Sequence, residues 1–255
     1  MSFSNKVVVV TGASSGIGAA IAIKFAEQKA KVVLVGRNEL KISKISKKCE
    51  EGGGEPLVIL GDITNNDVAK KIVSDTINKF GKLDILVNNA GIGTPVTITD
   101  SLAMEVFDKV MATNLRSAVN MSHLYVGYLE ETKRNIVNIS SIAGTIPMDA
   151  PNFSYCAWKA ALGHITRCLA LDLASKGIRI NSVNPGFVKT DILENSGINY
   201  NSFEVWNRCK NLTVLDKIAD PEEIADFVLF LTSDKAKSMT GSIYVADNGT
   251  LLKRF

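Results

Sequence analysis

The chain is poor in sulphur and almost without histidine. Its 255 residues include four cysteines, Cys49, Cys156, Cys168 and Cys209, and two histidines, His123 and His164. No two cysteines stand at the close spacing of a metal knuckle or a redox dithiol, so reduced thiols are the expected state. The histidines lack acidic or cysteine companions, and no metal is expected. Cys156 reads as a small filler and not a nucleophile, because no histidine base stands near it. Long apolar runs are missing as well. Nothing reaches membrane-spanning length, and no charged-then-apolar leader opens the chain. The cytoplasm is the expected setting, without a membrane partner. Charge of one sign is also scarce, since 29 basic and 26 acidic residues leave a net charge of +3. Lys41, Lys44, Lys47 and Lys48 cluster with Glu39 and Glu50 as a solvated helix face, which argues against nucleic acid as a partner.

What the chain has instead is a steady alternation of short apolar runs and amphipathic stretches. At 46% hydrophobic and 22% charged residues it can bury a sizeable core. Runs such as Val7-Val8-Val9-Val10 and Val32-Val33-Leu34-Val35 read as strands covered on both faces. Strands are expected near 6–10, 31–35, 56–60, 84–87, 135–139, 178–183 and 243–246. Helices are expected near 16–29, 38–51, 66–80, 101–130 with room for a break, 153–176 and 221–232. No linker, low-complexity tract or repeat interrupts this alternation. The expectation is one α/β domain over residues 1–255, a doubly wound parallel sheet of about seven strands with helices on both faces.

Two local patterns carry chemistry. The first strand runs into Thr11-Gly12-Ala13-Ser14-Ser15-Gly16-Ile17-Gly18 and then a helix. Glycines between a strand and a helix start let the backbone approach a pyrophosphate, whose charge meets the free N–H groups of the first turn. A tight turn with glycines kept for packing is the competing reading. Further on, Tyr155 and Lys159 stand four residues apart, on one face if the segment is helical. A free phenol, with a pKa of about 10, is a poor base, and a neighbouring ammonium favours its phenolate.

With these residues in view, the chain resembles the short-chain dehydrogenase/reductase family, in its short single-domain branch. The glycine spacing is Thr-Gly-x-x-x-Gly-x-Gly, and Asn88-Asn89-Ala90-Gly91, Asn114, Ser140-Ser141, Tyr155-x-x-x-Lys159 and Asn184-Pro185-Gly186 follow in the family's order. The resemblance runs from Lys6 to about Gly249. It implies a Rossmann-type fold and hydride transfer between a nicotinamide and a ketone or secondary alcohol. Tyr155 would be the acid/base, with Lys159 lowering its pKa and binding the nicotinamide ribose. Ser141 would steady the substrate oxygen, with Ser140 as the alternative register, and Asn114 would hold a water linking Lys159 to solvent. Pyrophosphate contacts are expected from Gly12, Ser14, Ser15, Gly16, Ile17 and Gly18. Asp62 and Ile63 are expected at the adenine, a helix cap or turn carboxylate being the competing role for Asp62. Asn88, Ala90, Gly91, Pro185, Gly186, Val188 and Thr190 are expected along the rest of the cofactor, with Tyr155 and Lys159.

At the end of the second strand, an acid would bind the adenosine ribose and repel a 2′-phosphate, but Gly36-Arg37-Asn38 stands there. Arg37 and Asn38 therefore point to NADP(H) over NAD(H). The segment from Asp191 to Asp216 falls at the family's substrate loop, where Ile192, Leu193, Ile198, Tyr200, Phe203, Val205 and Trp206 suggest an apolar pocket, anchorage of half of them on the core being the competing reading. A steroid, isoprenoid, retinoid or fatty acyl ketone or alcohol is the expected small-molecule partner, with sugars and small polar ketones as the alternative. A regulatory nucleotide-binding protein and an NAD-dependent alcohol dehydrogenase are the other readings. The resemblance also implies a homotetramer or homodimer, and Val106, Val110, Leu162, Ile165 and Leu169 are read as surplus apolar surface for it.

Overall fold

The computed structural model describes residues 2–148, 151–191 and 202–253, with Ser202 and Phe203 as backbone only. Seven parallel strands form one sheet in the order β3-β2-β1-β4-β5-β6-β7. They are β1 (Val7–Thr11), β2 (Lys31–Gly36), β3 (Glu55–Leu60), β4 (Ile85–Asn88), β5 (Asn135–Ile139), β6 (Arg179–Pro185) and β7 (Ile243–Ala246). The apolar runs made this predictable, because a strand covered on both faces needs no polar alternation. Alternate residues of β1 serve opposite layers. Val8 and Val10 pack with Ile21 and Phe25 of α1 (Gly16–Glu27), Ile42 of α2 (Glu39–Glu51) and Val228 of α8 (Pro221–Thr232). Val7 and Val9 pack with Ile72 of α3 (Asn66–Phe80) and Met121 and Tyr125 of α5 (Ser117–Thr132).

The stretch expected as helix over 101–130, with room for a break, is divided. Helix α4 (Ala103–Val110) passes into a widened π segment, Met111–Arg116, before α5 begins. A π turn inserts a residue into the helical repeat, so the faces before and after it are offset. Helix α6 (Phe153–Asp172) crosses this region, and the chain later forms α7 (Ser202–Lys210) and the short α9 (Thr250–Lys253). Helix α7 lies in the stretch read from sequence as a loop. Val110 and Leu162 are not surface: they are buried with Ala118 and Trp158 where α4, α5 and α6 meet. That interior seam accounts for part of the apolar surplus assigned to an assembly.

Strand β1 sits between β2 and β4, so successive crossovers leave it in opposite directions. The crevice that opens there, beyond the carboxyl ends of the strands, is where a doubly wound sheet binds ligands.

Candidate active site

A cavity of about 700 Å³ lies along that crevice. Its floor is the turn after β1, where Gly12 and Gly16 take φ of +68° and +55°. A Cβ on Gly12 would stand 2.8 Å from Ala90 Cα, and one on Gly18 would stand 2.3 Å from Asn89 Nδ2. These glycines let α1 press against β1 and β4. Asn89 locks the approach by donating to the carbonyls of Thr11 at 3.0 Å and Gly12 at 3.2 Å. Thr11 Oγ1 in turn accepts the N–H groups of Asn89 and Ala90. Gly12, Ser14, Ser15, Gly16 and Ile17 line the cavity, while Gly18 sits behind it as a packing residue.

The start of α1 differs from its neighbours. Asn38 caps α2 and Asn65 caps α3 through side-chain oxygens, but Ser15 makes no side-chain cap bond and no acid stands in the first turn of α1. The first-turn N–H groups of α1 thus meet the cavity without a side-chain acceptor, with the positive end of the helix dipole behind them. A pyrophosphate fits that donor set, and the positions of Gly12 and Gly16 leave the backbone bare for it.

One end of the cavity is charged and open. Arg37 Nη1 lies 3.6 Å from Asp62 Oδ2, and both side chains are substantially exposed. Asp62 accepts from the N–H and hydroxyl of Thr64. The Thr64 N–H foremost, and then the Thr64 hydroxyl and the Arg37 guanidinium, hold the Asp62 carboxyl below the usual carboxylate range against the opposing effect of burial. Asp62 therefore serves as a turn carboxylate while lining the cavity with Ile63. Asn38 Oδ1 accepts the Lys41 N–H, so its side chain is committed to the cap. Lys41, read from sequence as part of a solvated face, reaches across the rim to Asp191 at 2.7 Å. No sequence signal marked that pair, whose members stand 150 residues apart.

The other end is enclosed. Ala90, Gly91, Pro185, Gly186, Val188 and Thr190 line it. A Cβ on Gly186 would meet Asp247 Cα at 2.8 Å, and one on Gly16 would meet Thr190 at 3.1 Å, so the loop after β6 packs directly on the glycine turn. Val188 bridges to Ala219. Asn88 requires a correction: it is buried below the crevice, where its amide donates to Ser122 at 3.1 Å and Asn138 at 2.9 Å. As the last residue of β4, it points into the polar layer under the sheet and not toward the cavity.

Helix α6 carries Tyr155 and Lys159 into this end. Burial pushes the Tyr155 phenol up to about 12, and a hydrogen bond with Ser141 works the other way. Lys159 Nζ donates to the carbonyls of Ile139 at 2.8 Å and Ser140 at 2.7 Å. Burial holds the Lys159 ammonium well below the usual lysine range. At Tyr155 burial outweighs any lowering, and Lys159, whose Nζ lies 5.6 Å from the phenol ring centroid, can act on it only while its ammonium stays charged. Ser141 and Ser140 face different ways. Ser141 lies beside Tyr155, accepts from Ala143 at 3.1 Å and lines the cavity. Ser140 is buried and donates to the Lys159 carbonyl at 2.9 Å. Asn114, in the π segment, is fully buried, with its amide accepting from Ile92 N–H and donating to Ile92 O, both at 2.8 Å. Its side chain fixes Ile92.

Around this pair the wall is largely apolar. Ile92, Pro95, Ile142, Met148 and Phe187 contribute, joined by Val205, Trp206 and Cys209 from α7, with Asn152 as a polar exception. Ile192, Leu193, Ile198 and Tyr200 lie outside the described residues, as does the side chain of Phe203. Trp158 also lines the cavity and escaped the sequence reading, although its place between Tyr155 and Lys159 could have drawn notice. No helix among the described residues is long and apolar enough to cross a membrane.

Comparison with known proteins agrees with this geometry. The model of the family described as enoyl-(acyl carrier protein) reductase matches residues 12–250. An uncharacterized oxidoreductase of Thermotoga maritima is 38% identical, over 98% of this chain and 99% of its own length. A 3beta-hydroxysteroid dehydrogenase of Mediterraneibacter gnavus is 35% identical over 97% and 95%. The crystal structure of L-sorbose reductase from Gluconobacter frateurii, complexed with NADPH and L-sorbose, superposes with a TM-score of 0.90 at 31% identity, covering 98% of each chain. A short-chain dehydrogenase/reductase from Caenorhabditis elegans, solved with cofactor, reaches a TM-score of 0.92 at 34% identity over 98% and 96%. The chain belongs to the short-chain dehydrogenase/reductase family of oxidoreductases.

Proposed function

We propose that this protein is an NADP(H)-dependent oxidoreductase that interconverts an apolar ketone and its secondary alcohol. The observation that carries the reading is the meeting of Ser141, Tyr155 and Lys159 at the enclosed end of a cavity whose far end presents Arg37. The uncapped start of α1 would hold the pyrophosphate, and Arg37 would face the 2′-phosphate where an acidic residue is missing. Ala90, Gly91, Pro185, Gly186, Val188 and Thr190 would bound the nicotinamide riboside, with Lys159 at its ribose. When bound, the nicotinamide supplies or accepts the hydride.

The chain's own residues manage the proton and the oxygen. Tyr155 gives a proton to the carbonyl oxygen during reduction and takes it back during oxidation. Ser141, hydrogen-bonded to Tyr155, offers a donor to the same oxygen as its charge grows. The apolar wall from Ile92, Ile142, Met148, Phe187 and Trp206 excludes water and supports an apolar substrate of steroid, isoprenoid, retinoid or fatty acyl type. A second reading, a polyol or ketose, has Asn152 on the wall and the sugar-acting relatives in its favour. We also propose a homotetramer or homodimer, with exposed Leu102, Met104 and Leu171 as surface for it.

A panel of apolar ketones, ketoses and their alcohols, assayed with NADPH and NADH, tests the reading. Turnover of an apolar ketone with NADPH, abolished in Tyr155→Phe, is the expected result. Turnover confined to ketoses would favour the second reading, and turnover retained in Tyr155→Phe would overturn both.

A further inference from the structure

Trp158 is buried, and its ring sits 4.0 Å from Lys159 Nζ, measured to the centroid. The same indole meets Tyr155 edge-on, with centroids 5.7 Å apart and an interplanar angle of 89°. One side chain therefore touches both members of the reacting pair. It is held there by Val110, Ala118 and Leu162, and a Cβ on Gly91 would lie 3.5 Å from the ring.

The indole N–H is buried and has no hydrogen-bond partner among the described residues. An aliphatic side chain would fill the seam without leaving such a donor unpaired. What an indole adds is a broad, electron-rich face that attracts a cation, most strongly where water is excluded. Lys159 needs that attraction. The other groups against it are neutral: the carbonyls of Ile139, at the end of β5, and of Ser140 just after it, and the phenol of Tyr155 on its own helix. The Asn114 amide, also neutral, is committed to Ile92, and the Cys156 thiol acts on Tyr155. The charged side chains lining the cavity, Arg37, Lys41, Asp62 and Asp191, pair among themselves at the rim. Burial alone moves Lys159, and it opposes the ammonium.

We propose that Trp158 is a positioning residue whose indole face keeps the Lys159 ammonium charged and seated beside Tyr155. The inference deepens the oxidoreductase reading and rests on Tyr155 and Lys159 being its proton-transfer pair. Its sign follows directly. Loss of the ring face makes the ammonium harder to keep, so less positive charge reaches Tyr155 and the phenol ionises at higher pH.

The test compares Trp158→Phe, which keeps a ring, with Trp158→Met, which fills space without one. Alcohol oxidation is followed against pH with saturating cofactor. In Trp158→Met the half-point of the rate should move alkaline by about one unit, with kcat near neutrality down about tenfold and KM within twofold. Trp158→Phe should recover most of both changes. If Met does not fold at this position, mono- and difluorotryptophan are incorporated in a common Trp206→Phe background. Each fluorine drains the ring face with little change of shape, and the half-point should climb with fluorine number. Equal behaviour of Phe and Met, or a half-point indifferent to fluorination, overturns the proposal and leaves Trp158 as packing. Either result with Tyr155→Phe inactive leaves the oxidoreductase reading standing, whereas an active Tyr155→Phe removes that reading itself.

Discussion

The two ends of the cavity follow opposite rules. At the Arg37 end, Arg37, Asp62, Lys41 and Asp191 are at least one-third exposed and paired across open rims. At the Tyr155 end, Lys159 is 6% exposed and is met by carbonyls and a ring, with no carboxylate among the described residues. Exposed charges discriminate between ligands, weakly and subject to salt. A buried, unpaired charge is costly to hold and correspondingly effective on its neighbour. On the proposed function, one end chooses a cofactor and the other moves a proton. Substitutions should therefore separate into those that change catalysis at fixed affinity and those that change affinity at fixed catalysis.

The largest separation is expected from Tyr155→Phe, with kcat down about 10³-fold and NADPH affinity unchanged in a fluorescence titration. A matched loss of affinity would erase the contrast between the two ends. Ser141→Ala should lower kcat about 100-fold, and Ser140→Ala should act on thermal stability instead, because the Ser141 hydroxyl meets Tyr155 whereas the Ser140 hydroxyl is spent on the Lys159 carbonyl. Stopped-flow rates and melting curves for the pair distinguish these outcomes. At the open end, Arg37→Ala should weaken NADPH about 10- to 100-fold and spare NADH, an effect that shrinks as salt is added. Gly36→Asp should reverse the preference by repelling the phosphate, with Ile42 Cδ1, 3.1 Å from the new Cβ, yielding slightly. Isothermal titration of both cofactors reads these changes, and equal native affinities would refute the role of Arg37.

The smallest effect concerns acid. Asp62 has a lowered carboxyl pKa, so its contribution to stability is complete above the unfolded value of about 3.9 and disappears as pH falls through the folded value. Asp62→Asn should flatten the acid side of the stability curve below about pH 4 and leave neutral stability almost unchanged. An acid slope identical to the native one would show that the Thr64 and Arg37 contacts do not persist in solution.

The sheet was legible because its signal is local. Val7 to Val10 and Val32 to Val35 announce buried strands without reference to any partner. The glycine turn and the Tyr155/Lys159 pair were legible for the same reason, each within eight residues. What escaped notice depends on distant groups. Lys41 looked solvated because Asp191 is far away in sequence. Asn88 and Asn114 matched a motif, but only the packing of α5 and the path of Ile92 decide where their amides point. Helix α7 was masked by a segment rich in aromatic and β-branched residues, which carries little helical preference of its own. Trp158 had no motif to mark it, and its meaning comes from ring geometry alone.

Strand order also sets a timetable for synthesis. Of the seven strands β1 is the first made, and β2 and β4 flank it, with β3 outside β2, from chain completed by Asn88. A nascent chain that has reached Ala90 therefore holds every partner of Gly12 but lacks Thr190, against which Gly16 packs. The ribosome must add α6 and β6 before the second wall exists. A cofactor that stabilises only the completed cavity cannot assist the early steps, and its pull on folding comes late, once the chain has passed Thr190. Slow decoding after Gly91 would prolong a half-built, apolar-edged sheet, whereas the same pause after Thr190 would fall on a cavity already walled on both sides.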